Sequence, residues 1–348
     1  MRHKLLVGML AWGCCALVTC SSLVACSSQE EDIPLLPTDS EQPPVAKIEQ
    51  VSVRAKDILS GNARNTRTAF ELESTKLTFK WAEGDRIGIF PLGAEGQNDQ
   101  VSLTIHSGAG TNQATFSGGG WALRTDMTYA AYYPYQLSSA EQMVTDTEII
   151  FSYEGQCQTG NATLTHLGQH DFMATVGAVA VNRSQGTEAP EDWVLNFDFF
   201  HMNCVAQINL ALPKAVAVDK LSLRCDDPIF WQKGRLNLTG GFMPAEGDTP
   251  VFDYAMQDDA VRLMEMELKD VSTTEQNKSL TLYMNLPPID MQGHQVYVVL
   301  HGTDNRVYQA LLVSKTMVSG NAYRFDATLQ DVTVSSDIDS PPFSPEEI

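Results

Sequence analysis

Few residues of this chain have the types and spacing that chemistry demands. His166 and His170 stand in the i, i+4 relation that puts two imidazoles on one face of a helical turn, where both could ligate a metal, and Asp171 follows at once. Gly168 lies between them and weakens the helix such a site needs, so a polar connection between strands is the expected reading. His201, inside FDFFHMNC, could act as a base. A lone histidine in an aromatic run is instead expected to be a structural residue whose ring is satisfied internally. Tyr129, Tyr132, Tyr133 and Tyr135 offer flat, hydroxyl-tipped faces on which a sugar could stack, but strand residues alternate in face and core positions are expected for them. No G-x-S-x-G, H-E-x-x-H, P-loop or G-x-G-x-x-G pattern occurs, since GAG at 108–110 lacks its third glycine. The chain does not read as an enzyme, and no catalytic residue, metal or cofactor is expected.

One position does call for a particular covalent chemistry. Arg2 and Lys4 precede an apolar run through LLVGMLAWGCCALV, the arrangement of a secretory signal. The run ends in Leu23, Val24, Ala25 and Cys26, which is similar to a bacterial lipobox, where a diacylglycerol is joined to the thiol before the leader is removed. Residues 1–25 are thus expected to be a lipoprotein signal peptide and Cys26 the lipid-bearing first residue of the mature chain. Residues 5–25 just reach the roughly 20 apolar positions of a membrane-spanning helix, but Thr19, Ser21 and Ser22 thin that run toward its end. The SSQEED that follows is similar to acidic signals for export to the outer face of the outer membrane, so a surface-exposed lipoprotein of the cell outer membrane is expected.

Loss of the leader removes Arg2 and Lys4 and no acid, leaving 21 basic against 43 acidic residues and a formal charge of −22. Such a surface repels phosphate, and nucleic acid is not expected as a partner. Cys157, Cys204 and Cys225 remain beside Cys26. They read as small buried hydrophobes, with Cys204 and Cys225 the pair to consider if a disulfide forms.

The elements that must position these residues are strands. Period-two alternation recurs at Leu77, Phe79 and Trp81, at Val101, Leu103 and Ile105, at Cys204, Ala206, Ile208 and Leu210, and at Leu221, Leu223 and Cys225. It returns at Leu280, Leu282, Met284 and Leu286, and at Tyr323, Phe325, Ala327 and Leu329. AEGD, SGAG, SGGG, TGG and GTDN supply turns between them. Only SAEQMVTD at 139–146 and the region from His166 to His170 have helical character. The expected class is all-β, with two tandem antiparallel β-sandwich domains at 45–190 and 191–338. An acidic, proline-rich tether at 26–44 precedes them and a proline-rich tail at 339–348 follows.

TRTAF at 66–70, KWAEGDRIGIF at 80–90, YAAYYPYQ at 129–136, HDFMAT at 170–175, FDFFHMN at 197–203 and SGNAYRFDATL at 319–329, in that order after a lipobox, resemble the fimbrillin-like lipoproteins of type V fimbriae. The resemblance implies transthyretin-like domains, an assembly role without catalysis, and other fimbrial subunits as partners. It further implies cleavage after an arginine beyond the first strand, with Arg64 and Arg67 as the candidates, and a groove then filled by a strand of another subunit. The donor available here is DVTVSSDI at 331–338, with Val332, Val334 and Ile338 as candidate plugs and Ser336 where a further apolar residue would help. A tip or accessory position in a fimbria follows from this reading; the alternative is a surface lipoprotein that binds a glycan or another host ligand.

Overall fold

A computed structural model of the chain describes residues 45–332 apart from 47–49, 61–69, 74–75, 93–99, 119–122, 125–126, 137–146, 184–192, 244–249 and 257–259. The all-β class holds. Among the described residues the helical content is one 3-10 turn, Leu167–His170, within the region expected to be helical; the stretch 139–146 lies outside them.

Two apolar cores organise the strands. Around the first runs a sheet in the order Met173–Ala174, Asn196–His201, Gln50–Ala55, Gln113–Ser117, Val101–Ser107, Arg86–Leu92, Thr128–Tyr133 and Val179–Ala180. Met173–Ala174 also pairs with Thr128–Tyr133, so the sheet closes on itself. Closure leaves an interior in which Phe79, Trp81, Phe116, Phe197 and Phe199 pack with Val51 and Val53. Trp81 sits just beyond the end of Lys76–Phe79, its ring edge-on to Phe79, Phe116 and Tyr133 at 4.8, 5.0 and 5.2 Å between centroids. Aromatic edges meeting faces at these distances add to what area burial alone contributes.

The second core lies between two six-stranded sheets. One runs Ser279–Leu286, Cys204–Ala211, Asn321–Thr328, Ile58–Ser60, Lys76–Phe79 and Phe70–Glu73. The other runs Cys157–Thr159, Leu263–Ser272, Ala217–Cys225, Val296–Gly302, Val307–Leu311 and Gln330–Val332. Ile208, Leu210, Leu282 and Met284 from the first meet Leu221, Leu223, Met264 and Leu300 from the second. Cys204 and Cys225 are buried here, and with Cys157 they are free thiols.

Strand pairing interleaves the parts of the chain before and after residue 190. Asn196–His201 joins the closed sheet, while Ile58–Ser60, Lys76–Phe79 and Cys157–Thr159 join the sheets of the second core. Residues 43–348 accordingly cluster as one compact unit.

Gly88 is a close-approach position of the closed sheet. A Cβ there would lie 2.2 Å from Cε1 of Tyr132, its cross-strand neighbour. That ring cannot move aside, since it stacks on Phe90 and its hydroxyl donates to Gln100 Oε1. Gly88→Ala is therefore expected to destabilise the protein by about 1–3 kcal/mol, read as a lower urea midpoint at unchanged slope.

Candidate assembly site around Gln50–Ala55

The residues singled out by their sequence context fall in three groups. Cys26, Arg64, Arg67, Val334 and Ile338 lie outside the described residues. Val332 ends Gln330–Val332, the edge strand of the second six-stranded sheet, where it pairs with Val307 while Asp331 accepts from Arg306 Nη1 at 2.6 Å. His166, His170 and His201 are well placed, each engaged in protein hydrogen bonds. Nε2 of His166 donates to Tyr283 O at 2.7 Å, and burial, partly offset by this bond, lowers its pKa. Nδ1 of His170 contacts Ser152 O at 3.2 Å, so the two rings face different strands. No group of three or more His, Cys, Asp or Glu that could hold a metal occurs among the described residues. Of the tyrosines, Tyr129 and Tyr132 are buried, and the guanidinium of Arg86 lies 4.6 Å over the ring of Tyr135.

The geometry that bears on assembly surrounds Gln50–Ala55. Its sequence QVSVRA alternates strictly, and Val51, Val53 and Ala55 are buried while Gln50, Ser52 and Arg54 are exposed. The strand lies inside its sheet, parallel to Asn196–His201 on one side and antiparallel to Gln113–Ser117 on the other. Its removal would therefore strip ladder partners from two neighbours and open the aromatic core between them.

Two side-chain contacts hold this strand to Asn196–His201. Nε and Nη2 of Arg54 donate to Oδ1 and Oδ2 of Asp198 at 2.8 and 2.9 Å, a forked pair, and Lys56 Nζ lies 3.5 Å from Asp198. Partial burial works against ionisation of Asp198, but the Arg54 hydrogen bond and the charges of Lys56 and Arg54 outweigh it and hold the carboxyl below its usual range. At the strand's end, Nε2 of His201 is 2.7 Å from Lys56 O and Nδ1 is 2.7 Å from Asp171 Oδ1. A carbonyl can only accept, so Nε2 carries hydrogen. Both side chains of the His201–Asp171 pair are fully buried.

A second construction closes the edge of Ser279–Leu286. Gln156 Oε1 accepts from Asn285 N and its Nε2 donates to Asn285 O, both at 2.8 Å. Gln158 Oε1 accepts from Tyr283 N at 2.8 Å, and Asn161 Oδ1 accepts from Thr281 N at 2.7 Å. Side-chain amides here stand in for the peptide groups of a missing neighbour. The same segment, through Cys157–Thr159, uses its backbone to pair in parallel with Leu263–Ser272 of the opposite sheet.

Asp198, Gln156 and Gln158 escape reading from sequence, and Asp171 is noticed there only beside His166 and His170, not as the partner of His201. HDFMAT and FDFFHMN, two of the phrases that carry the family resemblance, contain Asp171 and Asp198 without saying that they meet anything.

These features define an all-β protein in which the strand Gln50–Ala55 is enclosed between two neighbours and the sheet edge at Ser279–Leu286 is sealed by amide side chains. The chain belongs to the fimbrillin-like family, whose model matches residues 45–340. Among solved structures, a protein of Bacteroides ovatus provisionally assigned to cell adhesion shares 17% identity, with 81% of this chain and 95% of that one covered and a TM-score of 0.48. One from Bacteroides uniformis with the same provisional assignment shares 14%, with 85% and 97% covered and a TM-score of 0.44. A fimbrial protein from Bacteroides ovatus shares 13%, with 80% and 50% covered and a TM-score of 0.35. No curated protein matches the chain.

Proposed function

We propose that this chain is a subunit of a cell-surface fimbria, exported as a lipoprotein anchored in the outer membrane through Cys26 and joined to other subunits by strand exchange. Family membership supports the fimbrial role. The observation that carries the strand-exchange reading is the enclosure of Gln50–Ala55, whose apolar residues fill the first core while Arg64 and Arg67 follow it in the chain. Cleavage after either arginine separates that strand, together with Ile58–Ser60, covalently from the strands with which they pair. The vacated slot then offers two unpaired backbone edges over an aromatic core, the requirement for strand addition. The donor stretch with Val332, Val334 and Ile338 begins in a strand already paired within its own sheet, which favours an accessory or tip subunit over one that repeats along a shaft.

Treating the purified mature protein with an arginine-specific protease, sequencing the new N-terminus and following size exclusion tests this. Cleavage confined to Arg64 or Arg67, with loss of the preceding strands and appearance of oligomers, is the expected result. A resistant, permanently monomeric protein whose melting temperature rises with a glycan would overturn it in favour of a glycan-binding lipoprotein. For the anchor, Cys26→Ala is expected to release the protein from membranes, and unchanged partition into detergent would overturn that assignment.

A further inference from the structure

The strand that occupies the slot specifies what can replace it. Its buried side requires two β-branched apolar side chains, at the places of Val51 and Val53, and then a small one, because Ala55 is wholly buried beside Phe199. Its exposed side carries the charge information. On the flanking Gln113–Ser117 strand the residue opposite Arg54 is the neutral Gln113; on Asn196–His201 it is Asp198. Lys56, the next residue whose side chain reaches Asp198, belongs to the same departing segment as Arg54. Release of that segment removes both cations and leaves the carboxylate on the rim of the slot.

Resting on the strand-exchange reading above, we infer that Asp198 selects the incoming strand by charge. The slot accepts a strand of a different fimbrial subunit that reads apolar, any residue, apolar, cationic, small, and it disfavours a second copy of this chain. The chain's own donor stretch makes the contrast. Laid along QVSVRAK in the same direction, DVTVSSD places Val332 and Val334 at the two apolar positions and Ser336 at the small one. Ser336, which would be a defect at an apolar position, is acceptable where the groove wants a small residue. The charges do not fit: Ser335 falls at the place of Arg54, and Asp337 falls at the place of Lys56, setting a second carboxylate beside Asp198. Steric fit with like charges opposed is how an interface rejects a partner that would otherwise dock. At the far end the buried Nε2–H of His201, which now meets Lys56 O, requires a backbone carbonyl of the newcomer at that place and so sets its register.

The test uses the mature protein after arginine-specific cleavage, offered three fluorescent peptides: QVSVRAK, its charge-reversed form QVSVEAE, and DVTVSSD. At low salt the cationic peptide is expected to bind about tenfold more tightly than either acidic one, a difference worth ~1.4 kcal/mol. The gap should close near 1 M salt, where the screening length falls to ~3 Å. Asp198→Lys should invert the order, and Asp198→Asn should level it; the Asp198 side chain is 44% exposed, and circular dichroism of each variant checks that it is folded. Equal binding of all three peptides would overturn the charge selection while leaving strand exchange intact. Binding of none would overturn both.

Discussion

His201→Ala is expected to lower the free energy of unfolding by about 3–5 kcal/mol, because it empties a buried ring site and leaves buried polar groups without their partner. The imidazole and the Asp171 carboxylate are both shut off from solvent, and the hydrogen bond between them is 2.7 Å. Asp171 Oδ2 has no hydrogen-bond partner among the described residues, so its other oxygen depends on His201. Truncation leaves the buried Asp171 carboxyl without its hydrogen-bond partner, removes the donor to Lys56 O, and takes away a ring set edge-on to Phe79 at 6.0 Å. Denaturant unfolding of His201→Ala, of Asp171→Ala and of the double variant His201→Leu/Asp171→Leu closes the question. The double variant should lose less than His201→Ala, because replacing both partners leaves no orphaned polar group between them. A His201→Ala protein within about 0.5 kcal/mol of wild type, the range of an ordinary surface change, would show that the pair holds nothing.

The second large effect is expected at the amide seal. Replacing Gln156 and Gln158 together by methionine keeps side-chain length and removes the amides. Asn285 N, Asn285 O and Tyr283 N then lose the partners that bind them at 2.8 Å. Each orphaned buried group is worth about 1–3 kcal/mol, so the sum should reach at least ~3 kcal/mol. A signature separates this from a simple packing defect. An unsealed edge is a template for another strand, and light scattering should show concentration-dependent association in the variant that Gly88→Ala, destabilised with this edge still sealed, does not share. Loss of stability without association would assign the two glutamines to packing alone.

Both effects show why much of the site was invisible in the chain. Alternation is a local property with period two, and it told which side chains face inward at Leu77 and Phe79, at Cys204, Ala206, Ile208 and Leu210, and at Leu280, Leu282, Met284 and Leu286, all of them buried, whereas Val101, Ile105, Tyr323 and Ala327, read the same way, are half-buried. The turn residues did the same for chain reversals, as at Gly84, whose φ of 88° a side chain would resist. His201 could be read as an internally satisfied ring because an imidazole in an apolar run must find partners. Which partners it finds is another matter. Period two names a face but not a neighbour, so it does not say that Asn196–His201 lies parallel to a strand about 145 residues earlier, or that Arg54 therefore meets Asp198. Gln156 and Gln158 read as ordinary polar residues. They became the seal of a sheet edge because folding brings Tyr283 and Asn285, more than 120 residues away, within reach with their backbone groups unpaired. A backbone donor left open is created by the pairing of all the other strands, and so its remedy belongs to the tertiary structure alone.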